Sequence, residues 1–403
     1  MGWMSWAEFY CQTDCVKHPH SCINEQLYME MASLLVTDGY AALGYKTVHV
    51  DDCWMERQRD PDTHKLVPNR TRFEHGIDGL ARYVHSFNLS LGMYEDYGIY
   101  TCTGYPGSLG HLKLDAQTFA DWGTEYLKLD GCAADVSRMA QGYPEMGAYI
   151  REASNDTMAY SCSWPFYETL HNMTPNYTHV AEHCNVWRVY TDIYPSWNSI
   201  ESIIDFVDRN QDVLSEAVRP GSWFDPDMLL IGHAEFTVTQ ARTQMSLWSI
   251  WSAPLIMSND LRVIEPIFRS VLQNRVAIAV NQDPMGRMGK RIHNLAHLNV
   301  SVYAKPITPV DPLTNSTSCA LVFYNRNHHI KRHLDVSLSL FNHTFPNGYL
   351  VDDVWNSNND KTSLDGFVMP DKILPIDIEP MGVVMLRARV VTQSVLMQEY
   401  AMK

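Results

Sequence analysis

From residue 1 to about 288 the chain repeats one pattern: a short, β-rich apolar run ending in polar residues, then a helix-like stretch. The clearest run is Glu125-Tyr126-Leu127-Lys128-Leu129-Asp130-Gly131-Cys132. It reads as a buried strand. Strand side chains alternate faces with a period of two, so Tyr126, Lys128 and Asp130 point the same way. A cation and a carboxylate on the inward face of a strand are costly unless they act there. Gly131 and Cys132 end the run immediately after Asp130, and the C-terminal end of a barrel strand is where that architecture carries its catalysis.

The same grammar recurs. Thr47–Val50 runs into Asp51-Asp52-Cys53-Trp54, and Leu91-Gly92-Met93-Tyr94 into Glu95-Asp96. Met158–Ser161 runs into Cys162-Ser163-Trp164, Val186-Trp187-Arg188 leads to Asp192, and Trp223-Phe224 leads to Asp225-Pro226-Asp227-Met228. Helix-like stretches such as Asn24–Leu43 and Asp115–Trp122 lie between them. With Gly2–Trp6 as the first strand and Ala253–Ser258 as the last, about eight βα units result, the number that closes a (β/α)8 barrel. Capping of the next helix accounts for any one strand-end acid. It does not account for six polar clusters in succession.

After Gly286-Arg287-Met288-Gly289 the helical stretches stop. Short alternating runs follow at Leu298–Lys305, Ala320–Tyr324, Leu334–Leu340, Gly348–Trp355 and Val383–Val391, separated by turn-forming clusters. Such spacing predicts an antiparallel β-sandwich. The expected organisation is an α/β (β/α)8 TIM barrel over 1–288, an antiparallel β-sandwich over 289–391, and a frayed tail over 392–403.

Composition narrows the partners. With 403 residues and 45 % apolar content, a large core and two or three domains are expected. A formal charge of −15 argues against a nucleic-acid partner. No apolar run of ~18 residues predicts a membrane span. Eight of the nine cysteines lie in the first half of the chain, an even set that suggests disulfides rather than a metal site. Only Cys11 and Cys15 approach zinc-ligand spacing, without a matching second pair, so neither metal nor cofactor is expected. Sequons at Asn69, Asn88, Asn155, Asn172, Asn176, Asn299, Asn315 and Asn342 point to the secretory route. The chain opens directly on Met1-Gly2-Trp3 without a signal peptide, which reads as a mature fragment or a sequence lacking its first segment.

Six long motifs, in order, then make the chain recognisable: Met1-Gly2-Trp3…Trp6, Asp51–Trp54, Asp115–Trp122, Lys128–Cys132, Asp225–Leu229 and Ala253–Arg262. Together they resemble the animal α-galactosidases and α-N-acetylgalactosaminidases, glycoside hydrolase family twenty-seven. The resemblance covers the barrel in register, continues into Asn281-Gln282-Asp283-Pro284, and holds for the sandwich only in outline.

The resemblance implies a retaining, two-carboxylate mechanism on terminal α-linked galactose, with Asp130 as nucleophile and Asp192 as acid/base. Such chemistry needs the second carboxyl protonated at the start, and the charge of Asp130 is expected to raise its pKa. By the same matching Asp51 and Asp52 accept from O4 and O6 of the sugar. Lys128 and Arg188 donate to its O3 and O2 side, and Trp6, Tyr94 and Met228 form pocket walls. Cys102, Cys132, Tyr167 and Asp227 are also assigned to the substrate pocket. Disulfides are implied between Cys11 and Cys53, Cys15 and Cys22, Cys102 and Cys132, and Cys162 and Cys184, leaving Cys319 as a buried free thiol.

Two positions depart from the family. Galactosidases carry Glu and Leu where Ser163 and Phe166 stand, crowding the sugar's 2-position, while N-acetylgalactosaminidases carry Ser and Ala there. Ser163 matches the second type and Phe166 is bulkier than either. Phe224 replaces an Asn, which puts packing beside Asp227 in question. The expected activity is therefore an α-galactosidase with N-acetylgalactosamine as a second substrate. An α-N-acetylgalactosaminidase, a non-catalytic galactose-binding paralogue and a metal-dependent barrel hydrolase are the alternatives. A lysosomal homodimer is what the resemblance and the sequons imply.

Overall fold

The computed structural model describes residues 1–356, 364 and 366–392; from residue 393 on, the expected tail lies outside them. Two compact units are present. One comprises residues 1–203, 220–233 and 254–265, the other 204–219, 234–253 and 266–403.

The first unit holds eight parallel strands: β1 (Gly2–Met4), β2 (Thr47–Val50), β3 (Ser90–Asp96), β4 (Tyr126–Asp130), β5 (Ala159–Cys162), β6 (Val186–Arg188), β7 (Trp223–Asp225) and β8 (Ile256–Met257). Their order is β7-β6-β5-β4-β3-β2-β1-β8. Just beyond β7, Leu229 donates from its N–H to Ile256 O at 2.8 Å and accepts from Ser258 N at 3.0 Å, which closes the barrel. The βα alternation of the sequence thus yields the TIM barrel it predicts. Helix ends follow local chemistry as well: Asn24 caps Glu25–Thr37 by accepting from Leu27 N at 2.9 Å.

Register decides which side chains share a level. Tyr94 pairs with Lys128, and Asp96 with Asp130. Lower in the barrel, His49 lies edge-on to Tyr126 at 4.4 Å. Gly92 makes room for it, since a Cβ there would stand 2.4 Å from His49 Nδ1. Burial holds that imidazole neutral, its pKa pushed down to about 3.

The second unit contains β9 (Lys290–Leu295), β10 (Val300–Val310), β11 (Thr317–Asn325), β12 (Arg332–Val336), β13 (Tyr349–Asp353), β14 (Gly366–Val368), β15 (Leu374–Ile378) and β16 (Val383–Val390). Six form an antiparallel sheet in the order β14-β13-β16-β11-β10-β9, and β12 pairs with β15. Val302, Leu321, Phe323, Val351, Ile376 and Leu386 are among the residues of the core they enclose. Three strands were not foreseen, β9, β14 and β15. The expected strand Leu334–Leu340 stops early, because Leu338–Phe341 turns into a 3-10 helix. Cys319 is buried and free.

Candidate active site

Asp130 is the last residue of β4 and is half-buried. Its Oδ1 accepts from Tyr167 Oη at 2.8 Å and from Gly131 N at 3.0 Å, and its Oδ2 accepts from Tyr94 Oη at 3.1 Å. Burial, reinforced by the carboxylate itself, pushes both phenols far above their ordinary pKa, so they stay O–H donors. The main chain is clamped too: Asp130 O accepts from Tyr97 N at 2.7 Å and from Tyr143 Oη at 2.8 Å. Glycine leaves room next, since a Cβ at position 131 would stand 2.7 Å from Met139 Cε and 2.9 Å from Tyr143 Oη and would displace them.

Lys128, two residues earlier on the same face, donates from Nζ to Asp51 Oδ2 at 2.8 Å and lies 5.2 Å from the Tyr94 ring centroid. Burial alone would lower its pKa, yet Asp51, Asp130 and Asp192 together raise it, so the ammonium persists. Asp51 and Asp52 both lie past the end of β2, and both are buried. Asp51 Oδ1 accepts from Asp52 N at 2.9 Å. Asp52 accepts from Cys53 N at 2.6 Å and from Thr103 Oγ1 at 2.7 Å. Burial raises the pKa of both acids.

Arg188 ends β6, and Asp192 follows in the loop with its side chain 61 % exposed. Arg188 Nη2 donates to Asp192 Oδ1 at 2.7 Å and stands 2.8 Å from Asp227 Oδ2. Burial pulls the Asp192 pKa up, but the charges of Arg188 and Lys128 and the Arg188 hydrogen bond win, and the carboxyl sits below its ordinary value. That reverses the sequence expectation of a raised pKa. The nearest charge is a guanidinium rather than Asp130. Asp227, at a left-handed φ of 82°, accepts from Ile193 N at 2.7 Å, and its pKa is pushed up to about 7 by burial. Phe224, earlier in the same segment, is buried and meets the Trp187 ring at 6.2 Å.

Trp6 is half-buried and its indole adds to the lowering of the Asp192 pKa. Ser163 and Met228 are buried, and Phe166 is half-buried with its ring 5.1 Å from that of Tyr167. The disulfides join Cys11–Cys53, Cys15–Cys22, Cys102–Cys132 and Cys162–Cys184. Cys102 Sγ lies 3.3 Å from Asp130 Oδ2, and Cys132 Sγ lies 3.1 Å from Tyr167 Oη. Asp96, Cys102, Asp130 and Cys132 cluster closely enough for a metal, but the disulfide consumes both sulfurs.

Sequence reasoning missed Thr103, Tyr143 and, above all, Asp96. Fully buried at the end of β3, Asp96 accepts from Gly98 N at 2.6 Å through Oδ1 and from Cys132 N at 2.9 Å through Oδ2. Burial, then Asp130, push its pKa up to about 8. Its signal was available: period two from Tyr94 sets it on the same inward face.

Comparison with known proteins agrees with the geometry. The family model Melibiase_2, described as alpha galactosidase A, matches residues 1–283. The chain is 42 % identical over 386 residues to the alpha-N-acetylgalactosaminidase of Gallus gallus, covering 96 % of this chain and 92 % of that one. It is 46 % identical over 309 residues to human alpha-galactosidase A, covering 76 % and 71 %. In fold it resembles the solved alpha-galactosidase I of Mortierella vinacea, with a TM-score of 0.80 at 23 % identity over 96 % of each chain.

Proposed function

This chain belongs to the alpha-galactosidase A family, and on that premise we propose that it is a retaining glycoside hydrolase that removes terminal α-linked galactose, with N-acetylgalactosamine as a second substrate. The observation that carries the reading is the grip on Asp130. Three donors hold its carboxylate at the C-terminal end of β4, and Lys128 sits within the field of both Asp130 and the exposed Asp192. Double displacement calls for two carboxyls at one glycosidic bond, and the shared pull of Asp130 and Asp192 on Lys128 supports that reading.

In the first step an Asp130 oxygen bonds to the anomeric carbon, the glycosidic C–O bond breaks, and Asp192 gives its proton to the departing oxygen. In the second, Asp192 takes a proton from water, the water oxygen bonds to the anomeric carbon, and Asp130 is released. Tyr94, Tyr167 and Gly131 N orient the nucleophile and keep one of its lone pairs aimed at the sugar. Lys128, Asp51 and Asp52 supply donor and acceptors for the ring hydroxyls, and Arg188 serves the 2-substituent. Asp192 must gain a proton that the free protein holds weakly. A sugar seated on Arg188 would weaken that ion pair and shield the carboxyl from water, and both changes raise its pKa.

A second reading, α-N-acetylgalactosaminidase as the main activity, is favoured by Ser163 and by the Gallus gallus relative, which spans 96 % of this chain. Delivery to the lysosome fits the sequons, and a homodimer fits the family. Among the described residues no helix is long and apolar enough to cross a membrane.

Trapping with a fluorinated galactosyl reagent, followed by mass spectrometry, tests the assignment. The label is expected on Asp130, and an active protein that carries none there overturns the nucleophile. Comparing kcat/KM on nitrophenyl α-galactoside and its N-acetyl analogue orders the two substrates.

A further inference from the structure

A second cluster of ligating groups lies outside the active site. The sequence Tyr177-Thr178-His179-Val180-Ala181-Glu182-His183 forms a helix over Tyr177–His183, capped by Asn176, whose side chain accepts from His179 N. Spacings of three and four set His179, Glu182 and His183 on one helical face. One ligand atom from each lies within 4.8 Å of the others. His179 Nδ1 stands 3.5 Å from Glu182 Oε2, and the two imidazoles face each other edge-on at 4.9 Å.

Two further features give this cluster more order than a chance surface group. The His179 ring meets Trp164 edge-on at 5.4 Å and 89°, which restricts its orientation. Glu168, on the helix Trp164–Leu170, is only 7 % exposed, and its carboxyl interacts first with Trp164 and then, through charge alone, with His179. Its Oε2 has no hydrogen-bond partner among the described residues. A buried carboxylate beside a ligating histidine is the group that fixes ring orientation and tautomer in metal sites. The support is rigid as well, since the residue after His183, Cys184, is bonded to Cys162 at the end of β5.

We infer that His179, Glu182 and His183 form a binding site for a divalent transition-metal ion of the zinc class, with Glu168 orienting His179 from behind. Two imidazoles and a carboxylate suit such an ion, and a fourth position remains for water. Ligand atoms around zinc sit ~3.3 Å apart when its bonds are ~2.0 Å. Closing from 4.8 Å requires side-chain rotation alone, and Glu182, the most exposed of the three, has the freedom for it. None of the three ligands is among the residues assigned to the sugar chemistry, and they lie on the helix that precedes β6. Its effect is stabilisation by mass action, since the unfolded chain lacks the constellation.

The test is calorimetric titration of the full-length protein with Zn2+ at neutral pH, alongside His183→Asn, Glu182→Gln and Glu168→Gln. The wild type is expected to bind one equivalent per chain and to melt at higher temperature with zinc present. His183→Asn should abolish the stoichiometric site, and Glu168→Gln should weaken it by about tenfold or more. Glu182→Gln changes an exposed side chain, so it keeps the test valid if a buried substitution fails to fold. Activity on nitrophenyl α-galactoside, which uses none of these residues, checks the fold of each variant. Zinc binding that is equal in the wild type and in His183→Asn and Glu182→Gln would overturn the site. So would the absence of a stoichiometric zinc equivalent in the wild type.

Discussion

Arg188 shares one nitrogen between two carboxylates, donating from Nη2 to Asp192 Oδ1 at 2.7 Å while standing 2.8 Å from Asp227 Oδ2. The proposed acid therefore starts its cycle paired with a cation. An acid acts only while protonated, and Arg188 lowers the pH at which Asp192 loses its proton. kcat/KM reports the free protein and kcat the bound complex, so the alkaline limb of kcat/KM should lie at lower pH than that of kcat. Arg188→Gln should move the kcat/KM limb upward while lowering kcat/KM itself. Limbs that coincide, and do not move in the variant, would refute the coupling.

The hydroxyl of Tyr167 makes the shorter of the two phenol bonds to Asp130, 2.8 Å against 3.1 Å from Tyr94. A hydrogen bond to a charged group contributes about 1.5–3 kcal/mol. Tyr167→Phe keeps the ring and removes the donor, so kcat/KM should fall by about 10- to 100-fold, with the deficit in the glycosylation step. Rapid-quench kinetics would locate it. A change confined to KM would mean that Tyr167 touches substrate rather than the nucleophile.

Much of this site was legible because strand periodicity is a local property. Tyr126, Lys128 and Asp130 were aligned by alternation alone, and β4 presents them that way. What stayed hidden depends on register between strands. Nothing in the sequence sets Asp96 level with Asp130 or brings Thr103 to Asp52, since both follow from strand stagger and loop closure. Charge partnership failed for the same reason. The pull of Arg188 on Asp192 comes from a loop conformation, so the expected sign of that pKa was reversed. In the second unit, β14 and β15 are short runs broken by turns, with too little periodicity to register.

Asp96 makes stability depend on pH. Its pKa in the folded protein, about 8, lies above the ~3.9 of an unfolded aspartate. Between those values the folded state holds a proton that the unfolded state has lost, so stability from this group is full below pH ~4. It then falls by about 1.4 kcal/mol per pH unit until about pH 8. Asp227, at about 7, acts in the same sense, whereas His49, at about 3, opposes it up to pH ~6.5. Asp96→Asn removes one contribution of known sign and also loses an acceptor for Cys132 N or Gly98 N. Its destabilisation should be larger at pH 5 than at pH 8. Paired urea melts at those two values check it, and a gap that widens with pH contradicts a protonated Asp96.

Phe166 is the residue through which the 2-position of the sugar is best tested. Its ring stands 5.1 Å from that of Tyr167, which in turn holds Asp130, so it packs on the support of the proposed nucleophile. Ser163 beside it is small and buried, and by itself would leave room for an acetamido group. If the phenyl ring is what closes that room, Phe166→Ala should raise kcat/KM for the N-acetylgalactosaminide relative to the galactoside by about tenfold or more, the usual yield of pocket volume. Ser163→Glu should shift the ratio the other way. Galactoside turnover in Phe166→Ala should drop modestly, because Tyr167 loses its packing partner. Should the ratio stay fixed while both rates fall together, Phe166 acts only as support for Tyr167, and discrimination at the 2-position rests on Ser163 and Arg188.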